Sequence, residues 1–130
     1  MTVAYVDASA LVKLVVAEAE TPAMYRWFVE ATRTLTSRVG MIEIARAAAR
    51  RGAIDADHRD VVLRGVEVVE IDASIAAAAA TIGPATLRTL DAIHLASAIS
   101  LLPDLEAFVT YDDRLADAAR AIGLPVVRPA

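Results

Sequence analysis

The chain has no cysteine, which excludes a disulfide framework, a thiolate zinc site and a cysteine nucleophile. Its two histidines, His58 and His94, are too few for a histidine-rich metal centre. Aromatic residues supply 5% of the chain, and alanine fills stretches such as Ala76 to Ala80. The 57% hydrophobic fraction is therefore made largely of small side chains, a composition that favours helices in close contact. No window approaches the roughly 18 to 20 unbroken apolar residues of a membrane span, and the first residues lack the basic region of a secretion signal. A soluble, cytoplasmic protein with no membrane partner is expected. Positive charge is also scarce. The net charge is -4, so no global field would draw in nucleic acid, and any such contact must be local. Lys13 is the sole lysine; the other basic residues are arginines, suited to bidentate phosphate contacts and to buried ion pairs.

At 130 residues the chain is one domain, 1–130, large enough for a real core and too small for a separate substrate domain. Thr2 to Val6 is apolar on both faces when extended, the mark of a central strand in a covered parallel sheet, and Asp7 ends it. A helix follows from Ser9 to Ala17, and a second begins at Thr21-Pro22, with Thr21 as N-cap and Met24, Trp27, Phe28 and Ala31 as its apolar stripe. On that stripe Trp27 reads as a core or interface anchor and not as a base-stacking platform. Thr34 to Ser37 is β-type, and Met41 to Arg51 a helix that Gly52 terminates. Asp55 to Val66 is a further helix carrying an exposed His58. Val68, Val69 and Ile71 form a strand, and Asp72 or Ser74 caps the helix through Ile82. After Gly83-Pro84, Leu90 to Ala98 opens a largely apolar helix. Ala107 to Thr110 is a strand, Arg114 to Ile122 the last helix, and Val126-Val127 a short last strand. The alternation predicts an α/β fold: a mostly parallel sheet with helices on both faces.

Four carboxylates stand at strand ends or helix starts: Asp7, Glu43, Asp91 and Asp112. Open α/β sheets bind ligands in the crevice at the carboxyl ends of their strands. Carboxylates brought together there repel one another unless protons or cations are present. A hard divalent cation answers that repulsion, and Mg²⁺ or Mn²⁺ suits an all-oxygen site that leaves positions for substrate phosphate. Such a site supports phosphodiester hydrolysis without thiol or histidine. Ser9 and Thr110 are placed to orient carboxylates or water, although each also reads as a cap or turn residue. Asp72 is fully explained as a helix cap. Glu43 is expected in a first helical turn, where the dipole favours it, with Arg46 and Arg50 near its face either as ion-pair partners or as phosphate contacts. His94, three residues after Asp91, reads as a packed, hydrogen-bonded helix residue.

Four segments in order, Tyr5-Val6-Asp7-Ala8-Ser9-Ala10-Leu11-Val12-Lys13, Met41-Ile42-Glu43-Ile44-Ala45-Arg46-Ala47, Leu90-Asp91-Ala92-Ile93-His94-Leu95-Ala96 and Val109-Thr110-Tyr111-Asp112-Asp113-Arg114-Leu115, resemble those of the PIN-domain ribonucleases, and within them the VapC-type toxins of bacterial toxin-antitoxin modules. The resemblance covers nearly the whole chain. It implies the three-layer α/β/α PIN-like fold and an Mg²⁺-dependent endoribonuclease whose acidic metal ligands are Asp7, Glu43, Asp91 and Asp112. Asp113 is the second candidate for the fourth position, and Ser9 and Thr110 are the supporting residues. A homodimer and a cognate antitoxin that crosses the active site are implied as well, with RNA as substrate and Arg46, Arg50 or Arg114 holding its backbone.

Two other classes compete. A receiver-type phosphoacceptor domain shares clustered aspartates and Mg²⁺, but would carry an acidic pair at the first strand and a lysine near the last. A non-catalytic interaction module of the same fold would use the acids only as caps.

Overall fold

The computed structural model describes residues 2–52 and 55–130. Its sheet has five strands, β1 (Val3–Val6), β2 (Arg33–Ser37), β3 (Val66–Val69), β4 (Ala107–Val109) and β5 (Val126–Val127), in the spatial order β3-β2-β1-β4-β5. Every pairing is parallel. Seven helices accompany it among the described residues: α1 (Ala8–Val15), α2 (Thr21–Glu30), α3 (Arg38–Arg50), α4 (Ala56–Leu63), α5 (Ala73–Thr81), α6 (Thr89–Ile99) and α7 (Asp113–Ala121).

The central strand β1 is buried along its length because its side chains alternate between two cores. Ala4 and Val6 enter the core built with Leu11 and Leu14 of α1, Met24 of α2 and Ile44 of α3. Tyr5 enters the opposite core with Phe108 of β4, Leu95 of α6 and Leu115 of α7. Helices therefore cover both faces, and the expected α/β/α layering is what folds. Trp27 and Phe28 pack against the first core, as their helical stripe predicts.

Several boundaries differ from expectation for local reasons. Helix α3 starts at Arg38, three residues before Met41, because the Ser37 side chain caps it by accepting from the Gly40 N–H at 3.1 Å. Glu43 consequently sits in the second turn, and the macrodipole does not explain it. Thr21 is not an N-cap. It lies inside α2, after Glu20, while its hydroxyl donates to the Lys13 carbonyl at 2.6 Å and accepts from the Glu18 N–H at 2.9 Å, closing the turn after α1. Helix α4 stops at Leu63, since Val66 is needed to pair with Thr34, and Ile71 lies beyond β3 and is exposed.

Gly40 marks the tightest approach at this end of the sheet. A Cβ added there would fall on the side chain of Thr36, which is fully buried on β2 and has no room to turn. The Gly40→Ala variant is expected to lose about 2 kcal/mol of stability through overpacking. An unchanged thermal midpoint would show that the β2–α3 junction has slack.

Candidate functional site

The chain moves outward from β1 to β2 and β3 on one side, then returns to β4 and β5 on the other. The crevice of such a sheet opens outside the carboxyl ends of the two strands where the direction reverses, here β1 and β4. Asp7 follows β1 directly, and Thr110 to Asp112 follow β4. Both aspartates are also helix N-caps. One oxygen of Asp7 accepts from the Ala10 N–H at 3.1 Å, and one oxygen of Asp112 accepts from the Leu115 N–H at 3.1 Å. Capping fixes each carboxylate with its other oxygen turned away from its own helix.

Asp7 is 3% exposed. Its Oδ1 also accepts from the Ser9 hydroxyl at 2.7 Å, and its Oδ2 accepts from the Thr110 hydroxyl at 2.6 Å. Ser9 in turn accepts from the Tyr111 N–H at 2.8 Å, and Thr110 from the Asp112 N–H at 3.0 Å, so the two hydroxyls tie the ends of β1 and β4 together. Burial raises the pKa of Asp7 above its ordinary value of 3.8, against the opposing pull of Thr110, Ser9, His94 and the Ala10 N–H.

Glu43 reaches the crevice from α3. Its Oε1 meets Nε2 of His94 at 2.5 Å, and Nδ1 of His94 meets the Tyr5 hydroxyl at 2.5 Å. Tyr5 already accepts from the Ser37 N–H at 3.1 Å, and burial raises its pKa, so it keeps its proton and donates it to Nδ1. His94 is then left with its own proton on Nε2, directed at Glu43. His94 is the buried, hydrogen-bonded helix residue the sequence predicts, and it also fixes a candidate ligand. No ion pair joins Glu43 to Arg46 or Arg50 among the described residues. Both arginines are exposed.

Asp91 sits in the first turn of α6, 8% exposed, as expected. Arg88, just before that helix, spans it and Asp112: Nε donates to Asp91 Oδ2 at 3.1 Å and Nη2 to Asp112 Oδ2 at 3.4 Å. Asp113 turns outward, with its side chain 87% exposed, and pairs with Arg128 at 2.8 Å. Arg114 is exposed beside Arg88 and Asp91 in a shallow hollow, while Arg50 lines another with Ser9 and Glu43. Lys13, which a receiver-type site would need near these acids, is engaged with Glu18 and Glu20.

The donor set is of the right kind for a hard cation: carboxylates supported by hydroxyls, with no sulfur. As arranged, no three His, Cys, Asp or Glu side chains among the described residues stand close enough to hold an ion. The Arg88 guanidinium links Asp91 to Asp112. Sequence reasoning missed Arg88 and Tyr5. The signal for Arg88 was present in its i,i+3 spacing from Asp91; nothing in the sequence marked Tyr5 as more than core.

A match to the PIN domain runs over residues 4–121. The chain belongs to the PIN-domain family. Among its PIN-domain relatives, Ribonuclease VapC47 of Mycobacterium tuberculosis (strain CDC 1551 / Oshkosh) is 39% identical over 130 residues, covering 96% of both chains. Ribonuclease VapC46 of M. tuberculosis (strain ATCC 25618 / H37Rv) is 36% identical over 129 residues, covering 99% of both. In fold this PIN domain is similar to the crystal structure of M. tuberculosis VapC20, described as a Sarcin-Ricin loop cleaving toxin, with a TM-score of 0.72 at 18% identity over 97% of this chain and 99% of that one. It is equally similar to a toxin-antitoxin complex from Klebsiella pneumoniae, with a TM-score of 0.72 at 22% identity over 98% of both chains. No helix among the described residues is long and apolar enough to cross a membrane.

Proposed function

We propose that this PIN-domain protein is a metal-dependent endoribonuclease, the toxin of a type II toxin-antitoxin module. The observation that carries the reading is Asp7. It is a buried carboxylate at the strand reversal, held by Ser9 and Thr110 and raised in pKa by its burial, in a chain whose relatives, matched over nearly their whole length, are named ribonucleases. Asp7, Glu43, Asp91 and Asp112 are the residues that would hold Mg²⁺, or Mn²⁺ in its place. Asp112 is preferred to Asp113 because only Asp112 is linked to Asp91.

When bound, the cation would supply Lewis-acid stabilisation of the phosphodiester and a water nucleophile at neutral pH. The chain's own residues prepare for that chemistry. Thr110 and Ser9 orient Asp7, and Tyr5 and His94 orient Glu43. Arginines on either side of the crevice, Arg50 and Arg114, offer local positive charge in an otherwise acidic protein. A cognate antitoxin, a homodimer and a cytoplasmic setting belong to the same reading. Exposed apolar side chains such as Tyr25 and Val29 on α2 and Leu90 on α6 are the sort of surface that partners cover.

Cleavage of structured RNAs by purified, antitoxin-free protein tests this directly. With Mg²⁺ or Mn²⁺, discrete products with 3′-hydroxyl and 5′-phosphate ends are expected, and none with EDTA. A panel of RNAs left intact in every condition would leave the interaction module as the better account.

A further inference from the structure

Among the described residues Arg88 is the cation that contacts Asp91 and Asp112, and its position is unfavourable for the helix it precedes. It occupies the N-cap of α6 and makes no side-chain capping bond there. Ser, Thr, Asp and Asn are the residues that stabilise such a place, and a positive charge beside a helix N-terminus opposes the dipole. Helix stability therefore does not account for an arginine here. Its guanidinium instead lies between Asp91 and Asp112, the place a cation would take to draw those carboxylates together.

We propose that Arg88 is an exchangeable counter-ion: it holds Asp91 and Asp112 until a divalent cation displaces it, and the released guanidinium then binds a phosphate of the RNA. This rests on the metal-dependent nuclease reading above. Two observations and one general property of divalent cations carry it. The Arg88 side chain is 55% exposed, against 11% for Asp91, and its contact with the partly exposed Asp112 is long at 3.4 Å, so the guanidinium end is open to water and to displacement. The competitor carries twice the charge and binds carboxylate oxygen directly. The hollow beside Arg88 also holds Arg114 and opens to solvent, so a freed guanidinium has room to turn toward a bound backbone, where its planar fork suits phosphate.

The exchange predicts effects of opposite sign from one substitution and an RNA-binding loss that depends on bound metal, a dependence that a fixed charge at this position would not produce. In purified full-length Arg88→Ala, Mn²⁺ binding followed by electron paramagnetic resonance is expected to tighten by at least about threefold, because a competing charge is gone. Binding of a fluorescein-labelled RNA stem-loop, measured with Ca²⁺ in place of Mg²⁺, is expected to weaken and its salt dependence to flatten by about 0.7–0.9 in slope, one phosphate contact. In EDTA, with Arg88 still held by Asp91 and Asp112, the substitution is expected to weaken RNA binding by clearly less than in Ca²⁺, through the added negative charge alone. Equal Mn²⁺ affinity in variant and wild type overturns the exchange while leaving the nuclease reading intact. So does an RNA-binding loss of the same size in Ca²⁺ and EDTA. A wild-type protein that binds no Mn²⁺ overturns both.

Discussion

The Asp7→Asn variant is expected to lose RNA cleavage by at least about 10²-fold and, in EDTA at neutral pH, to melt at a higher temperature than the wild type. Both effects follow from one burial. Asp7 is 3% exposed, and desolvation raises its pKa above 3.8 in the folded protein. Below the unfolded-state value the carboxyl is protonated in both states, and burial carries no charge penalty. As pH rises from there through the raised folded value, the unfolded chain ionises freely while the folded chain resists, so wild-type stability falls across that window.

Asparagine keeps the cap to the Ala10 N–H and stays neutral. Its advantage should therefore be present at neutral pH, about 2–5 °C for each kcal/mol in a chain of this length, and vanish below the unfolded carboxyl's range. Thermal melts of both proteins between pH 3 and 8 would show converging midpoints at the acid end. Midpoints that stay parallel throughout would mean that Asp7 is not destabilised by its burial, and full activity in the variant would remove it from the site.

The His94→Ala variant is expected to lose about 3 kcal/mol of stability and about 10- to 100-fold in cleavage. The imidazole is 3% exposed and stands edge-on to Tyr5, with ring centroids 5.7 Å apart, while Tyr5 stacks on Phe108 at 5.4 Å. Removing it leaves a cavity, and strands the buried Tyr5 hydroxyl without its acceptor. Glu43 lies closer to solvent, its side chain 30% exposed, and would turn to water, so its loss is one of position. Denaturant unfolding measures the first effect. The second is read at a temperature where the variant remains folded. Unchanged cleavage there would show that Glu43 does not depend on the Tyr5–His94 chain, whatever the stability result.

Much of the fold was legible because its signals are local. Two-sided apolarity marked β1 as central, period and caps marked most helices, and strand–helix alternation implied a parallel sheet, which is what forms. The boundaries that moved did so for tertiary or capping reasons that propensity does not carry: Ser37 recruits Arg38 to Gly40 into α3, and pairing with β2 takes Val66 from α4. Glu43 entered the reading as a first-turn acid and instead owes its place to His94, from a helix on the other side of the sheet.

The candidate site divides in the same way. The sequence determined which residues are acidic, that Asp7 and Asp112 each stand between a strand and a helix while Asp91 opens a helix, and that no thiol chemistry is open to the chain. It set Asp72 aside as a helix cap, yet held no local ground for treating Val6-Asp7-Ala8-Ser9 differently from Ile71-Asp72-Ala73-Ser74, two nearly identical stretches whose aspartates both cap helices. Tertiary structure decided between them. Asp72 follows the edge strand β3 and is exposed, whereas Asp7 follows β1, whose neighbour β4 brings Thr110 and Asp112 alongside. A crevice forms only where adjacent strands send their connections in opposite directions, a property of strand order across the whole sheet and of no local run of residues.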